Sequence, residues 1–494
     1  MNYFTVIIFI FSIISIFVVV FLERKRPSDA LGWIIIISIL PGIGLLLYLM
    51  FGDTISMNMH FKYYKNQQLE KLVNEELDNQ KQLINKNKKL IDQQSYDYYK
   101  DIILMLNNQS KSICSFDNQI DIITDGNIKY QQLFKDIEEA KESISVAYYI
   151  ISNNQIGWDF MELLTKKAKE GVEVRLIYDF LGGLFIHLRN KHYLDNLKKA
   201  SGQVYRFLPS FLSSIFRINY RYHRKIVVID GVIGYTGGFN IGDEYLGKRK
   251  KCSPWRDTHL RIQGSAVTDL QLLFLKDWNL IQRHLNRNNN NLPFQPTSYL
   301  HLFKEPLIDQ RKKQVAMQIV HCGPEEQGEE IKDSYIKMIN KATKYIYIQT
   351  PYFIPDESIM TALRLAINSG TDVRIMIPGI PDKKFVYSTS LSYIYDFLEI
   401  GGKVYMYNGF IHAKSIVIDD FVSTIGSTNI DVRSFVLDFE VNAFIYDEEV
   451  AKENKEIFIK DLENSKVYTL DDYKKRTIIK RATGMILRLF SALM

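Results

Sequence analysis

The chain has 494 residues, with 62 Lys+Arg against 56 Asp+Glu, a formal net charge of +6, 46% hydrophobic residues, 13% aromatic residues and 12 prolines. That length leaves room for two or more globular units, and the composition excludes a disordered or fibrous chain. Three cysteines far apart (Cys114, Cys252, Cys322), none in a C-x-x-C, exclude a disulfide framework and a zinc ribbon, and so mild an excess of base does not by itself point to nucleic acid.

The apolar residues are crowded at the start. Tyr3 to Leu22 carries no charge; as a helix rising ~1.5 Å per residue it is ~30 Å long, the thickness of a bilayer's hydrocarbon core. Leu31 to Phe51 is a second uncharged run, with Trp33 and Tyr48 near its ends as interfacial anchors. The basic cluster Glu23-Arg-Lys-Arg26 follows the first apolar run instead of preceding it, the reverse of a signal peptide. The expectation is a transmembrane hairpin over 1–52, with spans at about 3–22 and 31–51. Pro41-Gly42-Ile43-Gly44 should bend the second span. The chain would then be an integral, two-span protein of the cell membrane. The flanking Lys and Arg residues are too evenly divided to say on which side the C-terminal body lies.

Residues 53–111 read as a polar juxtamembrane helical linker. Leu77, Ile84 and Ile91, and Leu83 with Leu90, recur at seven, so this stretch is either a short coiled coil or a solvated helix on the body. From 112 onward short β-rich runs alternate with helical ones, the pattern of an α/β fold. Residues 143–150 read as a strand, 159–170 as a helix with Phe160, Leu163, Leu164 and Ala168 on one face, and 171–178 as a strand. The series returns at 344–352, 357–368 and 370–377. Gly171-Val-Glu-Val-Arg against Gly370-Thr-Asp-Val-Arg is an internal repeat at a spacing of ~200 residues, the mark of a duplicated domain. The expected division is a first half over 112–285, a linker over 286–314 opened by the turn-rich Asn286 to Pro296, a second half over 315–465, and a C-terminal amphipathic segment over 466–494.

Each half contains the same spaced set. The first is His223-Arg-Lys225, Asp230, Gly237-Gly238 and Asn240; the second is His412-Ala-Lys414, Asp419, Gly426-Ser427 and Asn429. The apolar, β-branched runs Ile226–Ile229 and Ile416–Ile418 place each His-x-Lys at the start of a strand, where side chains two apart share a face. Asp230 and Asp419 lie an odd number of positions on and face away, so they are read as orienting or ion-pairing groups. Gly237-Gly238 and Gly426-Ser427 are expected to let backbone N–H groups approach an anion. Imidazole, ammonium and amide, supplied twice, describe a phosphate site.

The H-x-K-x4-D pair with its G-G/S-x-N extension resembles the phospholipase D superfamily. The apolar hairpin, Trp255-Arg-Asp257-Thr-His-Leu after the first motif and Asn429-Ile-Asp-Val-Arg-Ser434 after the second are similar to bacterial cardiolipin synthases, and the likeness spans 1 to 494. The resemblance implies two α/β halves about a pseudo-twofold axis, one shared site, and no metal or cofactor. It implies a reversible transfer between two phosphatidylglycerols in a membrane of anionic lipids, giving cardiolipin and releasing glycerol through a phosphatidyl-histidine. His223, Lys225, Asp230, His412, Lys414 and Asp419 would be the catalytic set. Asn240, Asn429, Gly238 and Ser427 would bind phosphate, the first half lacking the Ser427 hydroxyl, with Asp257 and Glu440 as supporting acids. By analogy His223 attacks and His412 is the acid and base, although the pseudo-symmetry allows the reverse.

Arg217, Arg221 and Arg224, interleaved with Tyr220 and Tyr222, read either as a grip on lipid headgroups or as a solvated basic strand. Thr477 to Met494 reads either as an interfacial amphipathic helix or as a helix docked on the body. Competing activities are a membrane-bound phospholipase D that hydrolyses, a related alcohol-exchange enzyme, and a nuclease of the same superfamily. The last needs no hairpin, and +6 is weak for nucleic acid.

Overall fold

A computed structural model describes residues 3–22, 27–51, 93–207, 220–248, 252–285 and 296–489, apart from residues 310, 325 and 327, together with residue 491. The expected coiled-coil positions, the loop Glu23–Arg26, the turn-rich Asn286 to Gln295 and Arg217 lie outside these residues.

Among the described residues the body is built on one continuous sheet of 15 strands. We number them β1 (Cys114–Ile123), β2 (Ser143–Tyr148), β3 (Glu173–Asp179), β4 (Gln203–Phe207), β5 (Ile226–Ile229), β6 (Ile233–Gly237), β7 (His259–Gln263), β8 (Val315–Cys322), β9 (Tyr345–Gln349), β10 (Asp372–Pro378), β11 (Lys403–Tyr407), β12 (Ser415–Ile418), β13 (Val422–Gly426), β14 (Glu440–Tyr446) and β15 (Ser465–Tyr468). Their order across the sheet is β15-β11-β10-β9-β12-β13-β14-β8-β1-β7-β6-β5-β2-β3-β4. Leaving out the edge strand β15, each strand of the first half has its counterpart seven numbers on, and the order reads the same outward from the centre. The two halves meet where β1 pairs antiparallel with β8. Antiparallel pairing of equivalent strands relates the halves by a local twofold.

The repeated glycines explain the repeat. The helix Gln155–Lys169 and the helix Glu357–Asn368 each end just before a glycine, Gly171 or Gly370, whose φ is +92° in both. The following N–H reaches back to close the last turn, Val172 to the Lys167 carbonyl and Thr371 to that of Ala366, so glycine stops the helix and starts the next parallel strand. Apolar side chains from both faces of the sheet then fill the core, including the wholly buried Ile144, Leu176, Phe160, Ile346, Ile375 and Leu363.

At the N-terminus Tyr3–Phe17 is α-helical and continues as a π-helix over Val18–Leu22; Pro27–Ile39 and Ile43–Phe51 are separate helices. Among the described residues no helix is long and apolar enough to cross a membrane. The second expected span is interrupted at Leu40–Gly42, where Pro41 removes a donor and Gly42 takes φ +94°. Val19, Ile37 and Tyr48 are buried against one another, and Trp33 meets Tyr48 edge-on at 5.4 Å.

The C-terminal stretch is not amphipathic helix throughout. Ser465–Tyr468 extends the sheet beside β11, and Ile478–Arg488 is a helix lying on the helix Lys384–Glu399. Gly484 allows the approach, since a Cβ there would come within 2.8 Å of the Ser388 carbonyl oxygen. The same helix leaves Ile478, Ile479, Met485 and Ile486 exposed, so it is docked on the body and still apolar outward.

Candidate active site

Each histidine stands three residues before its strand, held by a short clasp to the other half. Tyr222 bridges to Phe439, and the His223 N–H donates to the Phe439 carbonyl at 3.0 Å. Phe410–Ile411 pairs in parallel with Trp255–Arg256, and the His412 N–H donates to the Arg256 carbonyl at 2.6 Å. The residue after each clasp is a carboxylate, Glu440 or Asp257, which therefore arrives beside the histidine of the opposite half. His223 Nδ1 lies 2.8 Å from Glu440 Oε1, and His412 Nδ1 lies 2.6 Å from Asp257 Oδ2. The supporting acids act crosswise between halves, which their sequence positions alone do not disclose. With Nδ1 engaged, Nε2 of each ring is the atom left for chemistry.

The lysines sit behind the rings. Lys225 Nζ donates to the His223 carbonyl at 2.6 Å, and Lys414 Nζ to that of His412. Lys225 is wholly buried and Lys414 nearly so, while both histidines retain 9% exposure, the one edge of the set open to a ligand. Tyr149 meets His223 edge-on at 5.0 Å, and Trp255 lies 5.4 Å from His412.

Burial pushes the two histidines, the two lysines and Glu440 toward their neutral forms. The His412 imidazole is lowered to about 4 by burial and then by Lys414, while Asp257 works against the shift. Burial, followed by the charges of Lys225, Lys414 and His412, holds His223 well below its ordinary value. Burial brings Lys225 down to about 7 and Lys414 to about 8. The Glu440 carboxyl is raised by burial, against the pull of Lys225. The crossed contacts of His223 with Glu440 and of His412 with Asp257 bring the two motifs together.

Other expected site residues fall elsewhere. Asp230 and Asp419 lie beyond β5 and β12, five residues from the lysines and thus ~16 Å along an extended strand. Among the described residues neither is ion-paired. Asp230 accepts the backbone N–H groups of Lys141, Glu142 and Ser143, each at 2.8 Å. Asp419 accepts those of Thr343, Lys344 and Tyr345 at 2.6–2.8 Å, with the hydroxyls of Thr343 and Tyr98. Both take φ +50° in the turn that follows the strand, so they pin the start of β2 and β9 rather than touch a substrate.

The backbone N–H groups of Gly238 and Ser427 are not free for an anion: they donate to the carbonyls of Thr258 and Val441 at 2.8 and 2.9 Å. The Ser427 hydroxyl donates to Glu440 Oε2, so it holds the carboxylate and not a phosphate. A Cβ at Gly238 would collide with the Asp257 carboxylate, which explains glycine in the first half. The amides of Asn240 and Asn429 each commit a hydrogen internally, to the Tyr245 hydroxyl at 2.6 Å and to Ser434 Oγ at 3.3 Å.

Of the basic stretch beside the first motif, Arg221 and Arg224 are neither a headgroup grip nor part of a solvated strand. Arg221 and Arg224 are buried, as are Tyr220 and Tyr222. Arg224 pairs with Asp277 and donates to the carbonyls of Glu440 at 3.1 Å and Cys322 at 3.2 Å, and Tyr222 donates to Asp277 at 2.8 Å. Arg224 thus braces the strand that carries His223's partner acid. Sequence reasoning also missed Asp382 and Lys383, which lie near enough for their charges to reach Lys414 and His223 respectively, and Tyr352, which donates to Asp382 at 2.6 Å. Only their position just past strand ends could have flagged them.

Comparison with known proteins agrees with this architecture. Residues 133–255 and 335–462 match the family model described as cardiolipin synthase, phospholipase D-like domain, and residues 7–52 match one described as phospholipase D-nuclease N-terminal. The chain is 43% identical to the major cardiolipin synthase of Bacillus subtilis, covering 98% of each chain. It is 42% identical to a cardiolipin synthase of Oceanobacillus iheyensis, covering 98% of this chain and 97% of that one. Among solved structures, a phosphatidylserine synthase of Haemophilus influenzae superposes with a TM-score of 0.59 at 16% identity, covering 80% of this chain and 99% of that one, a likeness of fold. The chain belongs to the cardiolipin synthase family of phospholipase D-like phosphatidyltransferases.

Proposed function

We propose that this enzyme makes cardiolipin by moving a phosphatidyl group from one phosphatidylglycerol to the free glycerol hydroxyl of another, through His223. The observation that carries the reading is the crossed pair of histidine–carboxylate contacts, which presents two Nε2 atoms in one buried, lysine-lined site. A phosphodiester anion resists attack. Between Lys225 and Lys414 its charge is offset, and the bound anion's negative charge favours protonation of His412, which burial otherwise disfavours, while His223 stays unprotonated at Nε2. His223 Nε2 then attacks phosphorus, with Glu440 holding its Nδ1 proton, while His412 gives a proton to the departing glycerol. His412 next takes the proton of the second lipid's hydroxyl, which attacks the phosphatidyl-histidine and restores His223. Asp230, Asp419, Asn240 and Asn429 serve by positioning the strands and loops, and Ser427 by fixing Glu440.

The two apolar runs at 3–22 and 31–51 seat this chain in the membrane as a hairpin. What supports that reading is their freedom from charge and the outward exposure of Ile7, Phe11, Phe21, Ile39 and Ile43. Residues 112–285 and 315–465 form the two catalytic halves.

The test gives the purified protein phosphatidylglycerol labelled at phosphorus as sole lipid. Wild type should yield labelled cardiolipin and unlabelled glycerol, with acid-quenched label on His223. His223→Ala and His412→Ala should each lower turnover by ~100-fold or more while staying folded. Near wild-type turnover in either variant, or phosphatidic acid as the main product, overturns the reading.

A further inference from the structure

Two groups of exposed apolar side chains follow segments that reach the site, one in each half. In the first half, Asp179 at the end of β3 accepts the Tyr222 N–H at 3.0 Å next to His223 and also the N–H groups of Leu181 and Gly182. Gly182 packs against the carbonyl of Tyr149, the residue whose ring meets His223. The short helix Leu184–Arg189 follows, with Phe185 58% and Leu188 68% exposed and the exposed Arg189 and Lys191 beside them.

In the second half, the segment after β10 supplies Asp382 and Lys383, whose charges reach Lys414 and His223. The helix Lys384–Glu399 starts there, with Phe385 67% exposed. The C-terminal helix runs parallel to it, Gly484 opposite Ser388 and Arg488 paired with Asp396. Its first turn is thereby placed at the Phe385 end, with Ile478 75% and Ile479 78% exposed beside the exposed Lys480. Apolar side chains this exposed, grouped and edged by Lys and Arg, are the pattern of a surface that lies on an anionic bilayer.

We infer that the face carrying both histidines docks on an anionic lipid surface through Phe185 and Leu188 on one side and Phe385, Ile478 and Ile479 on the other, so that the site opens toward the headgroups. The inference rests on the proposed lipid substrate and adds how that substrate reaches the site. Charge complementarity selects the occupant: Arg189, Lys191, Lys383, Lys384 and Lys480 form a basic fringe around both apolar groups and suit anionic headgroups. A bilayer is also flat and broad enough to meet both groups together.

The test places an environment-sensitive fluorophore on single cysteines in the full-length chain: Phe185→Cys, Phe385→Cys, Ile479→Cys and, as control, Leu365→Cys. The three native cysteines are buried. Leu365 is 54% exposed near the end of a helix that runs away from the site. The variants are reconstituted in phosphatidylglycerol–phosphatidylcholine vesicles with bromine near the headgroups. The expected result is strong quenching at 185, 385 and 479 that weakens in pure phosphatidylcholine, with none at 365. Quenching on one side alone, or at 365 as strongly as elsewhere, overturns the docking. So does a lipid-insensitive signal that falls on dilution, which would mean a second copy covers this face. A lipid-insensitive, concentration-independent signal assigns the face to the chain's own apolar segments and overturns it too. Fluorescence reads position and the product assay reads chemistry, so failure of one is distinguishable from failure of the other.

Discussion

Glu440 and Asp257 do the same work with different surroundings. Each holds Nδ1 of a histidine, yet the second oxygen of Glu440 takes the Ser427 hydroxyl while that of Asp257 takes the N–H of its neighbour Thr258 at 2.8 Å. The shorter acid needs the room that Gly238 leaves, and the longer one needs a hydroxyl to fix its extra torsion. Around these pairs, burial sets the protonation states, and a pH profile follows from them. His412 is neutral until the pH falls toward about 4, well under the ordinary imidazole value of ~6.5. Lys225 and Lys414 lose their charge as the pH rises through about 7 and about 8. The free enzyme's kcat/KM, measured in mixed micelles, should therefore fall as the pH rises above about 4, because His412 must carry the proton it donates, and fall more steeply between about 7 and 8 as the lysines lose their charge. An acid limb at ~6.5 would mean that the histidines are solvated in a way their burial does not allow.

At the scale of elements, the turns after β5 and β12 act as fasteners. Asp419 accepts three backbone N–H groups and two hydroxyls and is 1% exposed, so Asp419→Ala strands the buried Tyr345 N–H and unties the turn at the start of β9. The expected cost is about 2–4 kcal/mol, read as a lower midpoint in urea unfolding with an unchanged slope. Asp230→Ala should cost less, because Asp230 itself is only half-buried. The strand–helix–strand repeat was legible because local rules write it: glycine after a helix, β-branched runs, alternating faces. The doubled His-x-Lys was legible for the same reason. The crossed acids were not, because Trp255–Arg256 meets Phe410–Ile411 through a two-residue pairing with no spacing signal. Arg224 misled because a guanidinium bracing a buried carboxylate is indistinguishable in sequence from one facing water; only Asp277, 53 residues away, tells them apart.

For the whole molecule, the sheet and both histidines lie beyond residue 113, so a chain lacking residues 1–52 should fold. Its turnover in vesicles should drop through lost attachment and recover largely in detergent–lipid micelles, which compare the two forms directly. Equal inactivity in both media would give the apolar segments a part in the site itself. The crossed contacts also bear on inheritance. A lesion at His223 disables a centre whose other members lie in the same polypeptide, and so does a lesion at His412. Two such alleles carried in one cell should therefore remain silent together, scored as absence of cardiolipin in the lipid extract, because neither product can lend the other its intact imidazole. Rescue would require halves to trade places between polypeptides across the β1–β8 seam, opening the middle of a continuous sheet. Selection must accordingly see the two repeats as one unit: a change that shifts Glu440 is judged at the first histidine, and one that shifts Asp257 at the second.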